Sequence, residues 1–124
     1  MLAQRRRDTG PELALRHELH GRGLRYRLHR RPIPSVRREI DIVFPRARVA
    51  VEVRGCFWHA CPEHGSIPKA HAEWWAQKFQ RNRVKDAETA ELLAKAGWRL
   101  VVVWEHEDPV DAANRVASVV RAAK

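Results

Sequence analysis

Apolar residues recur along this chain with two periods, and the changes of period divide it into seven elements. Leu15 and Leu19 follow Glu12 at helical spacing. Thr9 suits an N-cap, Pro11 the first turn and Glu12 the capping-box position, and Gly21 and Gly23 end the helix. LRYRL (24–28) then alternates apolar and basic residues, which predicts a half-buried strand. HRRPIPSVRR (29–38) reads as a basic loop with two prolines. REIDIVF (38–44) alternates again, with Ile40, Ile42 and Phe44 on one face and Asp41 and Val43 on the other. After a turn at Pro45-Arg46, ARVAVEVRG puts Val49, Val51 and Val53 on one face and Ala50, Glu52 and Arg54 on the other.

GCFWHACPEHG (55–65) is a loop. Residues 71–96 are helical, as one kinked helix or two, and stop at Gly97. WRLVVVW (98–104) is a continuous apolar run, which predicts a central strand. Residues 109–123 open with Pro109 and carry Val110, Val116, Val119 and Val120, the marks of a last amphipathic helix. One helix, three strands, a helix, a strand and a helix predict a single α/β domain over 1–124, with a central mixed sheet and helices on both faces.

Composition narrows the function. A chain of 124 residues suits one domain, 44% of them are hydrophobic, and no apolar run approaches the ~20 residues of a membrane span. MLAQRRRDTGPE has no apolar segment of the signal-peptide kind, so a soluble cytoplasmic protein is expected, with reduced thiols. The net charge of +9 is lopsided: residues 1–48 hold thirteen Arg, no Lys and five acids, whereas 49–124 are nearly balanced. Arginine forks pair bidentately with phosphate, which points to nucleic acid; a GC-rich genome is the other source of such an excess.

Two strand carboxylates carry candidate chemistry. Asp41 and Glu52 lie on strands joined by the short Pro45 turn, which makes those strands antiparallel neighbours and sends both carboxylates to the face opposite the valines, with Arg54 beside them. This D-(x10)-E-x-R pattern resembles the D…(D/E)-x-K signature of a large nuclease superfamily. Asp41, Glu52 and the Val53 carbonyl can hold a Mg2+, which polarises a scissile phosphate. A solvated outer sheet face explains Glu52 and Arg54 as well. Downstream, Cys56-x4-Cys61-x2-His64 offers three ligands, and His106, just after the apolar strand, is the best candidate for the fourth that a structural zinc requires. A Cys56–Cys61 disulfide and two buried free thiols remain alternatives. His59, between the cysteines, suits a general base, since imidazole titrates near neutrality.

RDTGPE, DIVFP, GCFWH, the W-x3-F-x2-N segment and VWEH occur in that order over 7–106, roughly four-fifths of the chain. Together they resemble the Vsr family, the very-short-patch-repair mismatch endonucleases. The resemblance implies a restriction-endonuclease-like αβββαβ core with a structural zinc site. By the same likeness, Asp41 would be the principal Mg2+ ligand, Val53 would lend its carbonyl, His59 would activate water, and Glu12 would reach the site through water and metal. Cys56, Cys61, His64 and His106 would hold Zn2+. Phe57, Trp58 and Trp75 would form an aromatic wedge that enters the DNA stack, where mismatched steps open most readily. Arg31 and Asn82 join them as expected DNA contacts, and Asp86 matches a family position on the second helix. Core packing is the alternative for each aromatic. Glu52 and Arg54 stand where the best-known member has an apolar residue and a histidine. Glu52 restores the carboxylate of the wider superfamily, and Arg54 replaces a phosphate-contacting side chain.

The activity so implied is Mg2+-dependent nicking of one strand at T:G mismatches left by 5-methylcytosine deamination. It would be exercised by a monomer, associated with the nucleoid and functionally linked to a cytosine-5 methyltransferase. The rivals are a defence or restriction-type nuclease of the same fold, and a non-catalytic, zinc-stabilised DNA-binding module.

Overall fold

The computed structural model describes residues 9–33, 38–55 and 70–123. The Thr9 hydroxyl accepts from the Glu12 N–H at 3.3 Å and opens α1, Gly10–Gly21. Leu15 and Leu19 are fully buried from this helix, each contributing roughly 1.5–3 kcal/mol of apolar burial. Gly23, at φ 74°, supplies the left-handed turn that leads the chain toward the sheet.

Four strands follow in the spatial order β1-β2-β3-β4. They are β1 Arg27–Arg30, β2 Ile40–Phe44, β3 Val49–Arg54 and β4 Arg99–Trp104. The first three form an antiparallel meander, and β4 pairs parallel to β3 along its whole length, from Val49↔Arg99 to Arg54↔Trp104. The sheet is therefore mixed, as the pattern predicts. Helix α2, Ala72–Lys95, supplies the crossover between β3 and β4, and α3, Pro109–Ala122, ends the described chain. Asp108 caps α3 by accepting from the Val110 and Asp111 N–H groups at 2.8 and 3.3 Å.

Two apolar cores flank the sheet. Val49 and Val51 of β3, Val101 and Val103 of β4, and Ile42 and Phe44 of β2 pack against Leu15 and Leu19 of α1 and Ala112, Ala113, Val116 and Val120 of α3. On the opposite face Ile40, Val43 and Ala50 pack with Leu93 of α2, backed by Trp98 and Leu100.

The structure corrects four expectations. The first strand is Arg27–Arg30 rather than 24–28, because Leu24 and Tyr26 reach the core from the segment that leads into it. Residues 72–95 form one helix with no break. Among the described residues, the apolar run of β4 lies at an edge of the sheet and not at its centre. It is apolar on both faces because Val101 and Val103 meet the α1–α3 core while Leu100 joins the α2 core. Finally, Ile40 does not share a face with Ile42, and that departure builds the site.

Candidate active site

A regular strand sends alternate side chains to opposite faces. Strand β2 breaks this rule at Asp41. Ile42 and Phe44 belong to the α1–α3 core, whereas Ile40 joins Val43 on the α2 side. Pairing between β2 and β3 reaches only Ile42↔Val51. Beyond it, the Asp41 carboxylate accepts from the Val53 N–H at 2.8 Å, so a side chain does what a ladder bond would otherwise do. Asp41 thereby turns toward α1, where Glu12 lies on the helix's buried side.

Strand β1 breaks the rule on the same rung. Leu28 pairs with Ile42 and Arg30 with Ile40, which sets His29 opposite Asp41. His29 has φ 51°, a left-handed conformation that costs a non-glycine residue about 1–2 kcal/mol. The twist brings the imidazole to the same side as its neighbour Leu28. Its Nε2 lies 3.5 Å from Glu12 Oε2 and its Nδ1 3.7 Å from Glu39 Oε1.

Glu12, His29 and Asp41 thus converge from α1, β1 and β2, and one ligand atom from each lies within 4.8 Å of the other two. Glu12 is only 1% exposed. A buried carboxylate needs charge compensation, and Arg16, one turn along α1, donates to Glu12 Oε2 at 2.8 Å. Burial pushes the Asp41 carboxyl from its ordinary 3.8 up to about 7. The Glu12 and Glu52 carboxylates add to the rise, while the Val53 N–H bond and His29 pull it back. A group with this much anionic repulsion and this little water suits a divalent cation, which relieves both. Two carboxylates and an imidazole are a chemically competent donor set for one.

Glu52 stands apart from that group, which corrects the expectation that it and Asp41 share a face. It lies on the Ala50 side of β3, facing α2, and accepts from Arg54 Nε at 3.1 Å. Arg54 also approaches Asp86 of α2 at 3.8 Å and lies over the Trp104 ring at 5.9 Å. The stripe of α2 that faces the sheet carries Phe79, Thr89 and Leu93, with the half-buried Asn82 and Asp86 between them. Asp86 sits where that stripe passes Arg54.

The other expected site residues divide by position. Val53 is beside Asp41 through its N–H. Trp75 is half-buried and packs on Phe79 at 5.9 Å, while Trp74, 56% exposed, stands edge-on to it at 4.7 Å. Arg31 and His106 are exposed. Cys56, Phe57, Trp58, His59, Cys61 and His64 lie outside the described residues. A shallow cavity of about 390 Å3 between α2 and the start of β2 is lined by Arg38, Gln80, Arg81, Val84, Lys85 and Glu88. Among the described residues no helix is long and apolar enough to cross a membrane.

Sequence reasoning missed His29. Alternation groups it with Arg25 and Arg27, away from Tyr26 and Leu28, and assigns it to the outer face. The one available signal is that it follows the apolar series by a single residue at the rung of Asp41.

A family model described as DNA mismatch endonuclease Vsr matches residues 1–63. Over 122 residues the chain is 45% identical to the type II nicking enzyme V.NaeI of Lentzea aerocolonigenes, covering 97% of this chain and 72% of that protein. It is 43% identical over 105 residues to the type II nicking enzyme V.XorIIP of Xanthomonas oryzae pv. oryzae, covering 83% and 74%. It is 32% identical over 103 residues to the DNA mismatch endonuclease Vsr of Escherichia coli, covering 80% and 62%. The first of these likenesses takes in both strands of the irregular rung, the helix that faces it and the rest of the fold; the chain belongs to the Vsr family and is a DNA endonuclease.

Proposed function

We propose that the chain nicks one strand of double-stranded DNA beside a T:G mismatch, the lesion left when 5-methylcytosine deaminates, with Mg2+ held at Asp41. The convergence of Glu12, His29 and Asp41 within 4.8 Å, next to Val53, is the observation that carries this reading. Bound there, Mg2+ would supply Lewis-acid stabilisation of the scissile phosphate and the leaving oxygen. Asp41 is the principal ligand, the Val53 carbonyl is a second, and Glu12 closes the α1 side. His59 takes the proton from the attacking water at its ring nitrogen. Glu52 lends negative potential to the site, and Arg54, between Glu52 and Asp86, would meet a phosphate.

Cys56, Cys61, His64 and His106 hold a structural zinc that stiffens the loop carrying His59, Phe57 and Trp58. A wedge pushed between base pairs and a base aimed at a phosphate both need rigid support. Phe57, Trp58 and Trp75 enter the stack beside the mismatch, and Arg31 and Asn82 contact the DNA around it. The enzyme works as a monomer and is paired functionally with a cytosine-5 methyltransferase whose product creates the lesion.

A second reading has its own support. Two relatives named type II nicking enzymes are more similar to this chain, at 45% and 43% identity, than a relative named a DNA mismatch endonuclease, at 32%. On that reading the chain nicks a particular sequence whether or not it is mismatched. A nicking assay with Mg2+ on T:G and fully matched duplexes of several sequences, using wild type and His59→Ala, separates the two. Nicking of T:G duplexes alone supports mismatch specificity; equal nicking of matched DNA supports the second reading. No nicking of any duplex defeats both. Metal analysis of reduced protein, expected to find about one zinc per chain lost in His106→Ala, tests the structural site.

A further inference from the structure

We infer that His29 is a metal ligand of the nuclease centre, giving it a nitrogen donor beside the carboxylates of Asp41 and Glu12. The inference rests on the reading of Asp41 as a metal ligand and adds to it.

Two irregularities on one rung carry it. His29 adopts φ 51° and Asp41 interrupts the alternation of β2, although the residues on either side keep their pairing, Leu28↔Ile42 and Arg30↔Ile40. Either distortion alone is a local defect. Together they turn two metal-competent side chains to the same side of the sheet, toward the charged residue most deeply buried on α1. Ligand atoms about 2.1 Å from one ion stand roughly 3 Å apart at right angles. The present spread of up to 4.8 Å would have to close by up to about 2 Å around an ion.

The surroundings of the imidazole fit the same role. Nε2 faces Glu12 and Nδ1 faces Glu39. A ligating histidine commonly offers one nitrogen to the metal while a carboxylate on the other fixes its ring and tautomer. Glu39, one residue before β2 begins, has its Oε1 3.7 Å from Nδ1, close enough to take that second role if the two draw together. Arg16 donates to Glu12 Oε2 from within α1 at 2.8 Å, and His29 approaches that oxygen from the sheet.

An imidazole changes which ion the centre prefers. Mg2+ favours oxygen ligands, whereas first-row transition ions accept nitrogen readily. The centre therefore binds Mn2+ more tightly relative to Mg2+ than a carboxylate-only site does.

The test uses Mn2+ as the probe and spin resonance as the readout. Mn2+ is titrated into the purified full chain, and loss of the free-ion signal gives the affinity. Electron spin-echo modulation of the bound ion then reports a directly coupled 14N. Asp41→Asn locates the ion. His29→Gly removes the imidazole with no penalty at positive φ, and His29→Asn tolerates the same backbone while offering an oxygen. Wild type is expected to show 14N modulation that both His29 variants lose. Their Mn2+ affinity should fall at least about tenfold, with a smaller change for Mg2+ measured by competition. Circular dichroism confirms that the variants fold. If 14N modulation and Mn2+ affinity survive in His29→Gly, this inference is overturned while Asp41 stands as a ligand. If wild type binds no Mn2+ that Asp41→Asn removes, both fail.

Discussion

The backbone N–H of Val53 donates to the Asp41 carboxylate at 2.8 Å, just past the last rung that joins β2 to β3. The carboxylate proposed to hold the metal thus doubles as the clasp of the strand pair that carries it. Asp41→Asn keeps an acceptor for that N–H and removes a charge that burial disfavours. Its unfolding free energy should stay within about 1 kcal/mol of wild type or exceed it, while nicking falls by roughly a thousandfold or more. Asp41→Ala orphans the Val53 N–H and should be less stable than Asp41→Asn by about 1–3 kcal/mol. Denaturant unfolding and single-turnover nicking of the two variants separate the clasp from the chemistry.

The high Asp41 pKa makes cation binding pH-dependent in a definite direction. Burial holds the carboxyl protonated up to about pH 7 in the metal-free protein. Binding a divalent cation must displace that proton. Apparent Mg2+ affinity should rise about tenfold per pH unit below 7 and level off above it. Stability runs the opposite way. The folded carboxyl titrates near 7 and the unfolded one near 3.8, so the folded state binds the extra proton between those values. The contribution from this group is greatest below pH 3.8 and is lost as pH climbs to about 7. The difference in unfolding free energy between wild type and Asp41→Asn, without added Mg2+, should follow that slope. Saturating Mg2+ should flatten it.

Most of the fold is legible in the sequence because most of it obeys period. Thr9, Pro11 and Glu12 mark the start of α1, and Val49, Val51 and Val53 take the face their alternation gives them. The edge position of β4 is not legible, because an apolar run says that both faces are covered and nothing about its neighbours. The site is least legible where it departs from period. Asp41 is found as a charge between isoleucines, yet its facing is misjudged because the strand changes parity at that residue. His29 is lost because a left-handed residue reverses the face that alternation assigns. Asp86 is visible only as a polar residue on a helix stripe otherwise turned inward, and its relation to Arg54 depends on the crossover geometry of α2.

Arg54 holds two carboxylates at once, Glu52 at 3.1 Å and Asp86 at 3.8 Å, with all three side chains less than one-fifth exposed. Arg54→Met leaves both acids without that cation on a partly dry face. It should destabilise the chain by about 1–3 kcal/mol, and Glu52→Gln added to it should recover part of the loss. Because Glu52 is engaged with Arg54 and stands outside the Glu12–His29–Asp41 group, Glu52→Gln alone should slow nicking far less than Asp41→Asn. A loss of roughly ten- to a hundredfold is expected, and Mg2+ affinity should change little. Single-turnover rates across a Mg2+ titration distinguish this from direct ligation, which would raise the Mg2+ requirement as strongly as Asp41→Asn does.

Arg81 and Lys85 lie one turn apart on α2 and line the shallow cavity with Arg38, which is itself engaged by Glu88 at 3.0 Å. Both are exposed, and among the described residues neither side chain forms an ion pair. The phosphate backbone is the ligand such a pair fits, since it needs charge and reach and no particular base edge. Replacing both with Ala should leave thermal stability unchanged and weaken binding of mismatched and matched duplexes by similar factors. Each neutralised phosphate contributes about 0.9 to the slope of log affinity against log salt. The double variant should therefore flatten that slope by roughly 1.8 if each residue meets one phosphate. Fluorescence anisotropy across a salt series measures it. An unchanged slope would place the DNA on another face of α2, and a loss confined to T:G duplexes would assign these residues to the mismatch instead of the backbone.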